Sequence, residues 1–202
     1  MSIYDQDADK AQQQLDKISP SMCYAKWSQV SMHLTNGMTH SCYHPPTHKV
    51  PLEELEKNIT ALHNTEEKKE QRRLMLKGER PDGCSYCWNI EDQGDRSDRI
   101  YRSGEYWAQE SRQDIMDAGA SGNINPRYVE VNFNQACNFK CSYCSPHLST
   151  AWQEEIDEHG EYPTVAPHNN VDSLRNKSCC KSSITHLTWK IYNWKTCTCV
   201  SI

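Results

Sequence analysis

Three cysteines that follow an alternating segment constrain this chain more than any other feature of its sequence. They stand in the run C-N-F-K-C-S-Y-C as Cys137, Cys141 and Cys144. The preceding residues, Tyr128 to Asn134, alternate between apolar and polar side chains, which predicts a β-strand. Three thiolates so spaced, on a loop just past a strand, suit three irons of a [4Fe-4S] cluster and leave the fourth iron open for chemistry.

Zinc binding and simple burial both account less well for this run. A structural zinc site uses four ligands, and the three-residue gap between Cys137 and Cys141 fits no common zinc spacing. Burial as small apolar side chains needs an apolar periodicity, which the intervening Asn, Lys, Ser and Tyr do not make. The spacing therefore favours iron–sulfur ligation.

The N-terminal half holds a second set of four cysteines. The alternation from Trp27 to Leu34, followed by Asn36-Gly37, predicts a hairpin that brings Cys23 and Cys42 to the same end of a two-stranded ribbon. A turn rich in Pro and Gly then delivers the C-x-x-C pair of Cys84 and Cys87. Four thiolates close either a [4Fe-4S] cluster or a zinc site, and the spacing does not separate the two.

Helices are predicted on both sides of the C-x-x-C pair. The first opens at Val50-Pro51 and places four apolar residues in the core, namely Leu52, Leu55, Ile59 and Leu62. Asn64 and Thr65 cap a second, highly charged helix that Gly78 ends, and its charges are expected on a solvated face. Ser97 caps a third helix that extends as far as Met116, with its aromatic residues in the core.

The strand with the three cysteines is followed by one more predicted helix. A flexible segment at 119–123 places a domain boundary before the strand. After the cysteine loop, Thr150 and Gln153 form a predicted capping box for a helix that ends at Gly160. These elements make one βα unit.

Composition and charge exclude several classes of protein. The 202 residues have a mean hydropathy of −0.88, which predicts a thin core that bound metal would support. Eleven cysteines behind a polar, acidic N-terminus indicate metal binding in the cytoplasm rather than secretion. We expect no membrane span, since no run approaches about 20 apolar residues. We also expect no nucleic-acid partner, because the net charge is −5 and no basic stripe is present.

The run C-x-x-x-C-x-aromatic-C after a strand, with Tyr143 as the aromatic residue, resembles the radical S-adenosylmethionine (SAM) superfamily. The resemblance implies an enzyme with a [4Fe-4S] cluster on Cys137, Cys141 and Cys144. An external donor of the flavodoxin or ferredoxin type would reduce that cluster, which would then cleave SAM to methionine and a 5′-deoxyadenosyl radical. The resemblance also implies that Tyr143 binds the cofactor, beside the adenine of SAM.

A second resemblance, to the SPASM and twitch domains, rests on the four-cysteine half. It is carried by Cys23 with Trp27, by Cys42, and by the pattern M-L-x-G-E-x-P-x-x-C-x-x-C-x-x-x-E that runs from Met75 to Glu91. It implies an auxiliary iron–sulfur cluster on Cys23, Cys42, Cys84 and Cys87, and by analogy a peptide or protein substrate. Such modules usually follow the barrel. Here the module precedes it, as in radical SAM proteins encoded by phages, which implies the host cytoplasm.

The expected fold class is α/β, a small hairpin-plus-helices domain followed by the first βα unit of a partial (β/α) barrel. The expected divisions are a polar leader at 1–19, the twitch-like domain at 20–120, the start of the barrel at 121–170 and an atypical tail at 171–202. The tail has no glycine, so the Gly-Gly-Glu-like strand end of the family is missing, and it has four cysteines: Cys179, Cys180, Cys197 and Cys199. A premature end or an out-of-frame translation is expected there ahead of a disordered extension. The alternative function is a non-catalytic iron–sulfur or zinc-binding fragment that lacks a complete SAM pocket.

Overall fold

The computed structural model describes residues 3–34, 37–134, 136–142, 144, 146 and 149–160. The chain is a mixed α/β protein and divides into two compact units. The first unit comprises the described residues up to 32 together with 38–130, and the second comprises those at 33–37 and from 131 onward. The boundary predicted near 119–123 therefore lies within the first unit. The predicted tail at 171–202 lies outside the described residues.

The described strands form one sheet of four. Their order is β3-β2-β1-β4, with β1 at Gln29–His33, β2 at Met38–His40, β3 at His48–Lys49 and β4 at Tyr128–Asn132. The predicted neighbours β1 and β2 are adjacent, and Gly37 between them has the positive φ of +70° that a tight turn requires. Asn36 of that turn lies outside the described residues. The sequence patterns did not indicate β3, a two-residue strand that pairs antiparallel with β2.

The predicted polar leader contains the first helix, α1 at Ile3–Asp16. Its residues Ala8, Ala11 and Leu15 are buried. Helix α6, at Asp98–Gly104, packs against α1, and a Cβ atom added at Gly104 would lie 3.1 Å from the carbonyl oxygen of Asp7. The leader is therefore part of the core, and the small residues on both helices let their backbones approach closely.

The helix predicted from Pro51 is shorter than expected. Helix α3 covers Leu52–Lys57, because the backbone of Asn58 is extended and its side-chain oxygen accepts a hydrogen bond from the N–H of Thr60. A separate 3₁₀ turn follows at Ile59–Leu62. Leu55 and Leu62 are buried as predicted, whereas Leu52 and Ile59 are 42% and 44% exposed. The break at Asn58 places Ile59 in a separate 3₁₀ turn, outside the periodicity of α3.

The charged helix α4, at Glu66–Leu76, begins and ends where predicted. The hydroxyl oxygen of Thr65 accepts a hydrogen bond from the N–H of Lys68 at 3.1 Å, which is the predicted cap. Gly78, with a φ of +80°, follows the last turn, and the N–H of Glu79 donates to the carbonyl of Leu74 at 3.0 Å. Both ends of α4 are thus fixed by local sequence signals.

The expectation that the charges of α4 are solvated is wrong for Lys68 and Arg72, which are fully buried. The guanidinium of Arg72 donates to the side-chain oxygen of Asn64 at 2.9 Å and lies 5.7 Å from the ring of Trp27. The ammonium of Lys68 donates to the hydroxyl of Thr39 at 3.2 Å and to a backbone carbonyl at 3.3 Å. Two cations therefore lie inside the first unit.

Three short helices replace the single helix predicted after Ser97. They are α6, α7 at Tyr106–Glu110 and α8 at Arg112–Ala118. Ser97 stands at the N-cap position, but its hydroxyl donates to a carboxylate oxygen of Glu91 at 2.5 Å and not to the helix. Tyr101 and Tyr106 are 38% and 77% exposed, so the prediction that the aromatic residues are core fails for these two. The remaining helices are α2 at Ala25–Ser28, α5 at Ser85–Glu91 and α9 at Thr150–His159.

His48 makes the stability of the fold depend on pH. Burial lowers the pKa of its imidazole to about 4 from the ordinary 6.5, and Lys68, Lys26 and His40 add to the lowering. Glu67, 3.5 Å from Nδ1, opposes this effect, but its side chain is 53% exposed and screened by water. Between these two pKa values the unfolded chain binds more protons than the folded chain, so the free energy of unfolding falls as the pH drops through this window.

We expect the free energy of unfolding of the His48→Gln variant to fall by about 3 kcal/mol less than that of the wild type over this pH window. This difference corresponds to the shift in the pKa of His48. The measurement is urea unfolding of the wild type and the variant at matched metal loading, from about pH 7 to pH 4. Metal-dependent terms are common to both proteins and cancel in the difference. Parallel pH profiles would contradict the prediction.

Candidate metal centres

The four cysteines of the N-terminal half come from four segments of the first unit. Cys23 precedes α2, Cys42 follows β2, Cys84 ends a 3₁₀ turn at Asp82–Cys84, and Cys87 lies in the first turn of α5. All four line one pocket. All four are thiols, and all except the partly exposed Cys42 are buried. The structure therefore brings together the four residues that the sequence selects.

Local hydrogen bonds hold these segments in place. The N–H of Cys84 donates to the carbonyl of Pro81 at 3.0 Å, and the indole of Trp88 donates to the same carbonyl at 2.9 Å. The hydroxyl of Ser21 donates to the carbonyl of Met75 at 3.0 Å, which ties the segment before Cys23 to the end of α4. The turn chemistry and the helix end thus position three of the four thiols.

The thiols interact electrostatically. Burial, and after it the neighbouring thiolates of Cys42, Cys87 and Cys84, raise the pKa of Cys23 to about 12. Burial also raises the pKa of Cys87 to about 11. Four thiolates in one buried pocket repel each other, so their joint deprotonation requires a cation among them. A metal centre supplies such a cation.

Hydrogen-bond donors face two of the sulfurs. Hydrogen bonding to the backbone of Arg99 and to the side chain of Ser97 partly offsets the rise in pKa that burial causes at Cys87. Burial raises the pKa of Cys42 as well, and Lys26 and a hydrogen bond from the backbone of His44 partly offset that rise. Donors of this kind stabilise thiolates and tune the reduction potential of iron–sulfur clusters. Sequence reasoning assigned Ser97 to a helix cap and missed this contact.

A buried ion pair borders the pocket. The guanidinium of Arg99 contacts both carboxylate oxygens of Glu91, at 2.8 and 2.9 Å, and donates to the carbonyl of Met22 at 2.6 Å. Glu91 is the last position of the pattern that carries the twitch resemblance. Arg99 and Lys26 partly offset the rise in pKa that burial causes at Cys23 and at Cys42, respectively. The carboxylate therefore fixes a cation beside the thiols.

His44 lines the pocket, and its ring stacks on that of Tyr86 with 3.7 Å between the ring centroids and an angle of 8°. The imidazole of His44 also lies 2.7 Å from a carboxylate oxygen of Asp98. These contacts fix the backbone that follows Cys42. Among the described residues, no three side chains of His, Cys, Asp or Glu are arranged to hold a metal ion. The four thiols therefore line one pocket, but their sulfurs are not arranged as the ligands of a metal ion. Their number and their chemistry nevertheless fit a centre held by four thiolates.

The loop with Cys137, Cys141 and Cys144 belongs to the second unit, and each of these residues is partly exposed. The carbonyl of Cys137 accepts hydrogen bonds from the hydroxyls of Ser149 at 3.2 Å and Thr150 at 2.9 Å. The carbonyl of Cys141 accepts from the indole of Trp152 at 3.0 Å. The first turn of α9 therefore anchors the cysteine loop.

The N-cap of α9 differs from the prediction. Ser149, rather than Thr150, stands at the cap and accepts from the N–H of Trp152 at 3.3 Å. The capping box of Thr150 and Gln153 is therefore wrong by one residue, while the helix end at Gly160 is confirmed by its φ of +87°. Tyr143, predicted beside the adenine of SAM, lies outside the described residues.

Comparison of the chain with protein-family models, with curated proteins and with solved structures finds no match. In the part of the chain that the structure describes, no helix combines the length and the apolar character needed to cross a membrane.

Proposed function

We propose that the chain is a radical SAM protein with a [4Fe-4S] site on Cys137, Cys141 and Cys144 and an auxiliary iron–sulfur cluster on Cys23, Cys42, Cys84 and Cys87. The observation that carries the proposal is the single pocket lined by the latter four residues. These residues were selected as a ligand set from their spacing and from the twitch resemblance. Their convergence from four segments of the first unit supports that selection.

The protein's own residues have distinct roles in this proposal. Cys137, Cys141 and Cys144 hold three irons, and the turn of α9 that binds the Cys137 and Cys141 carbonyls orients the loop. When bound, the cluster supplies the electron and the open iron for cleavage of SAM to a 5′-deoxyadenosyl radical. Tyr143 lines the adenine side by resemblance alone. The proposal also includes an external flavodoxin- or ferredoxin-type donor, a peptide or protein substrate and a cytoplasmic location.

A non-catalytic metal protein is the second candidate. Burial of three of the four thiols in the first unit favours a closed structural site, and a zinc ion bound by four cysteines has this character. The donor set by itself accommodates either metal centre. Metal analysis of the purified chain separates zinc from iron in this pocket.

Anaerobic reconstitution with iron and sulfide tests the two sites separately. We expect about eight irons per wild-type chain and about four in the variant with Cys137, Cys141 and Cys144 changed to Ala, since each [4Fe-4S] cluster holds four. The matched control changes Cys179, Cys180 and Cys197 to Ala, also three cysteines, and keeps about eight. The readouts are iron and sulfide content and the EPR spectrum after reduction. Two full clusters in the first variant would contradict the assignment.

The same samples test catalysis. Each protein is incubated with SAM and dithionite. Formation of 5′-deoxyadenosine by the wild type, and not by the variant changed at Cys137, Cys141 and Cys144, would assign the enzymatic function. Cluster binding without 5′-deoxyadenosine in the wild type would assign the non-catalytic alternative. Chromatography of the anaerobic reaction measures the product.

A further inference from the structure

Cys42 is the proposed ligand at which the four-cysteine pocket meets solvent. Cys23, Cys84 and Cys87 are buried, whereas Cys42 is partly exposed. It lies in the run of bends at 41–45, between β2 and β3. Segments of this kind open locally more readily than helices and strands do. The position of the Cys42 thiol therefore depends on the contacts that the neighbouring side chains make.

The next residue, Tyr43, is tied to strand β4. Its hydroxyl donates to a carboxylate oxygen of Glu130 at 2.9 Å, and its oxygen lies 2.6 Å from the hydroxyl oxygen of Tyr128. The other carboxylate oxygen of Glu130 accepts from the hydroxyl of Ser31 on β1 at 2.7 Å. These residues all belong to the first unit. The carboxylate that holds Tyr43 is thus itself held by the sheet.

Arg102 connects this contact to the pocket. Its guanidinium carbon lies 4.9 Å from the centre of the Tyr43 ring, and Arg102 lines the same pocket as Cys42. A carboxylate oxygen of Glu105 lies 2.5 Å from Nη1 of Arg102 and holds the guanidinium in this position. The ring of Tyr43 therefore packs against the wall of the pocket while its hydroxyl is bound to the sheet.

We propose that Tyr43 and Glu130 form a latch that holds Cys42 in the pocket, and that metal enters and leaves the four-cysteine centre on the Cys42 side. The metal route rests on the proposed function, because it requires a centre on these cysteines. Tyr43 and Glu130 are positioning residues that act through the backbone of Cys42. A hydrogen bond to a carboxylate is stronger than one between neutral groups, so the latch keeps the bends closed.

Alkylation of the metal-free full chain with iodoacetamide tests the latch, with peptide mass spectrometry as the readout. In the wild type Cys42 should react faster than the buried Cys23. We expect Tyr43→Phe, which removes only the hydroxyl, to raise the rate at Cys42 about tenfold and to leave Cys23 unchanged. A factor of ten corresponds to about 1.4 kcal/mol, within reach of one hydrogen bond to a charged group. Global unfolding would raise both rates, so their ratio reports the latch.

Tyr106→Phe is the matched control. Tyr106 is 77% exposed, and its hydroxyl also donates to a carboxylate, that of Glu110. This variant should match the wild type at both cysteines. An equal effect of the two Phe variants, no effect of Tyr43→Phe, or equal rates at Cys42 and Cys23 in the wild type would overturn the latch.

Two variants of Glu130 separate the hydrogen bond from packing. Glu130→Gln keeps an oxygen that accepts from Tyr43 and should stay close to the wild type. Glu130→Leu has a similar size without an acceptor and should resemble Tyr43→Phe. A Gln variant that reacts like the Leu variant would overturn the role of the hydrogen bond.

The metal route is tested in the chain with Cys137, Cys141 and Cys144 changed to Ala, reconstituted with iron and sulfide so that one centre remains. In this background Tyr43→Phe should lose iron to EDTA about tenfold faster than the parent, and Tyr106→Phe should lose it at the parent rate. Equal rates would overturn the route. A parent that binds no iron contradicts the proposed centre and the route together, whereas alkylation of the metal-free chain still decides whether the latch exists.

Discussion

Changing Cys23, Cys42, Cys84 and Cys87 to Ser should abolish the stabilisation of the chain by metal and lower its melting temperature by about 10 °C or more. A stabilisation of several kcal/mol from a tetrathiolate centre corresponds to a shift of this size for a chain of about 200 residues. Three of these cysteines belong to the hydrophobic core of the first unit, where they contact the same cluster as Trp27 and Trp88. Metal bound at the proposed centre would therefore contribute to the free energy of folding.

Thermal unfolding of matched metal-loaded and chelated samples measures this effect. The wild type should show a large difference between the two samples, and the four-serine variant should show none. Replacing Cys137, Cys141 and Cys144 by Ser is the control, since these residues are partly exposed and belong to the second unit. A four-serine variant that still gains stability on reconstitution would show that another group binds the metal.

Glu91→Gln should lower the free energy of unfolding by about 3–5 kcal/mol, because removing one partner of a buried ion pair leaves the other charge uncompensated. The side chains of Arg99 and Glu91 are 3% and 13% exposed, and the guanidinium has two contacts with the carboxylate. The guanidinium also lies 5.5 Å from the ring of Trp88. The neutral amide of the glutamine variant cannot compensate the charge of the buried Arg99 guanidinium.

The adjacent residue provides the control for this prediction. Asp92 pairs with Arg80, but these side chains are 59% and 47% exposed. We expect Asp92→Asn to cost less than about 1 kcal/mol, as is usual for exposed pairs. Urea unfolding of both variants at equal metal loading gives the comparison. Equal losses at the two positions would mean that the burial of Glu91 contributes nothing to the strength of its pair.

The sequence predicted those parts of the fold that depend on local chemistry. The cap at Thr65 and the positive φ of Gly78 follow from side-chain hydrogen bonding and from the lack of a Cβ atom, which are properties of single residues. The grouping of the four cysteines was also predicted. That prediction uses the residue type and the spacing of the cysteines and does not require the exact ends of the helices. The register of Thr150 was missed because Ser149 offers an equivalent hydroxyl one residue earlier.

Tertiary contacts account for what the sequence did not reveal. Charged residues at 66–73 surround Lys68 and Arg72, and only the packing of α4 determines which of them are buried. A signal was present, because Lys68, Arg72 and Met75 recur at helical spacing on one face. In α1 the buried face is built largely from alanine, which gives a weak hydrophobic pattern. The break at Asn58 separates Ile59 from α3, and an apolar periodicity does not reveal it.

The packing of α1 on α6 has a consequence for the order of events during synthesis. These helices pack together although they lie far apart in the sequence, and the ion pair of Asp9 in α1 with Arg96, just before α6, joins residues 87 positions apart. While the ribosome is still adding the residues between the two helices, the apolar face of α1 cannot pack against α6. Cys23 likewise has no contact with Cys87, which has not yet been synthesised. Loops of this length close slowly, and the folding intermediates expose apolar surface that can aggregate. The thiols of the nascent chain are therefore exposed to oxidation until both helices have been synthesised and can pack together.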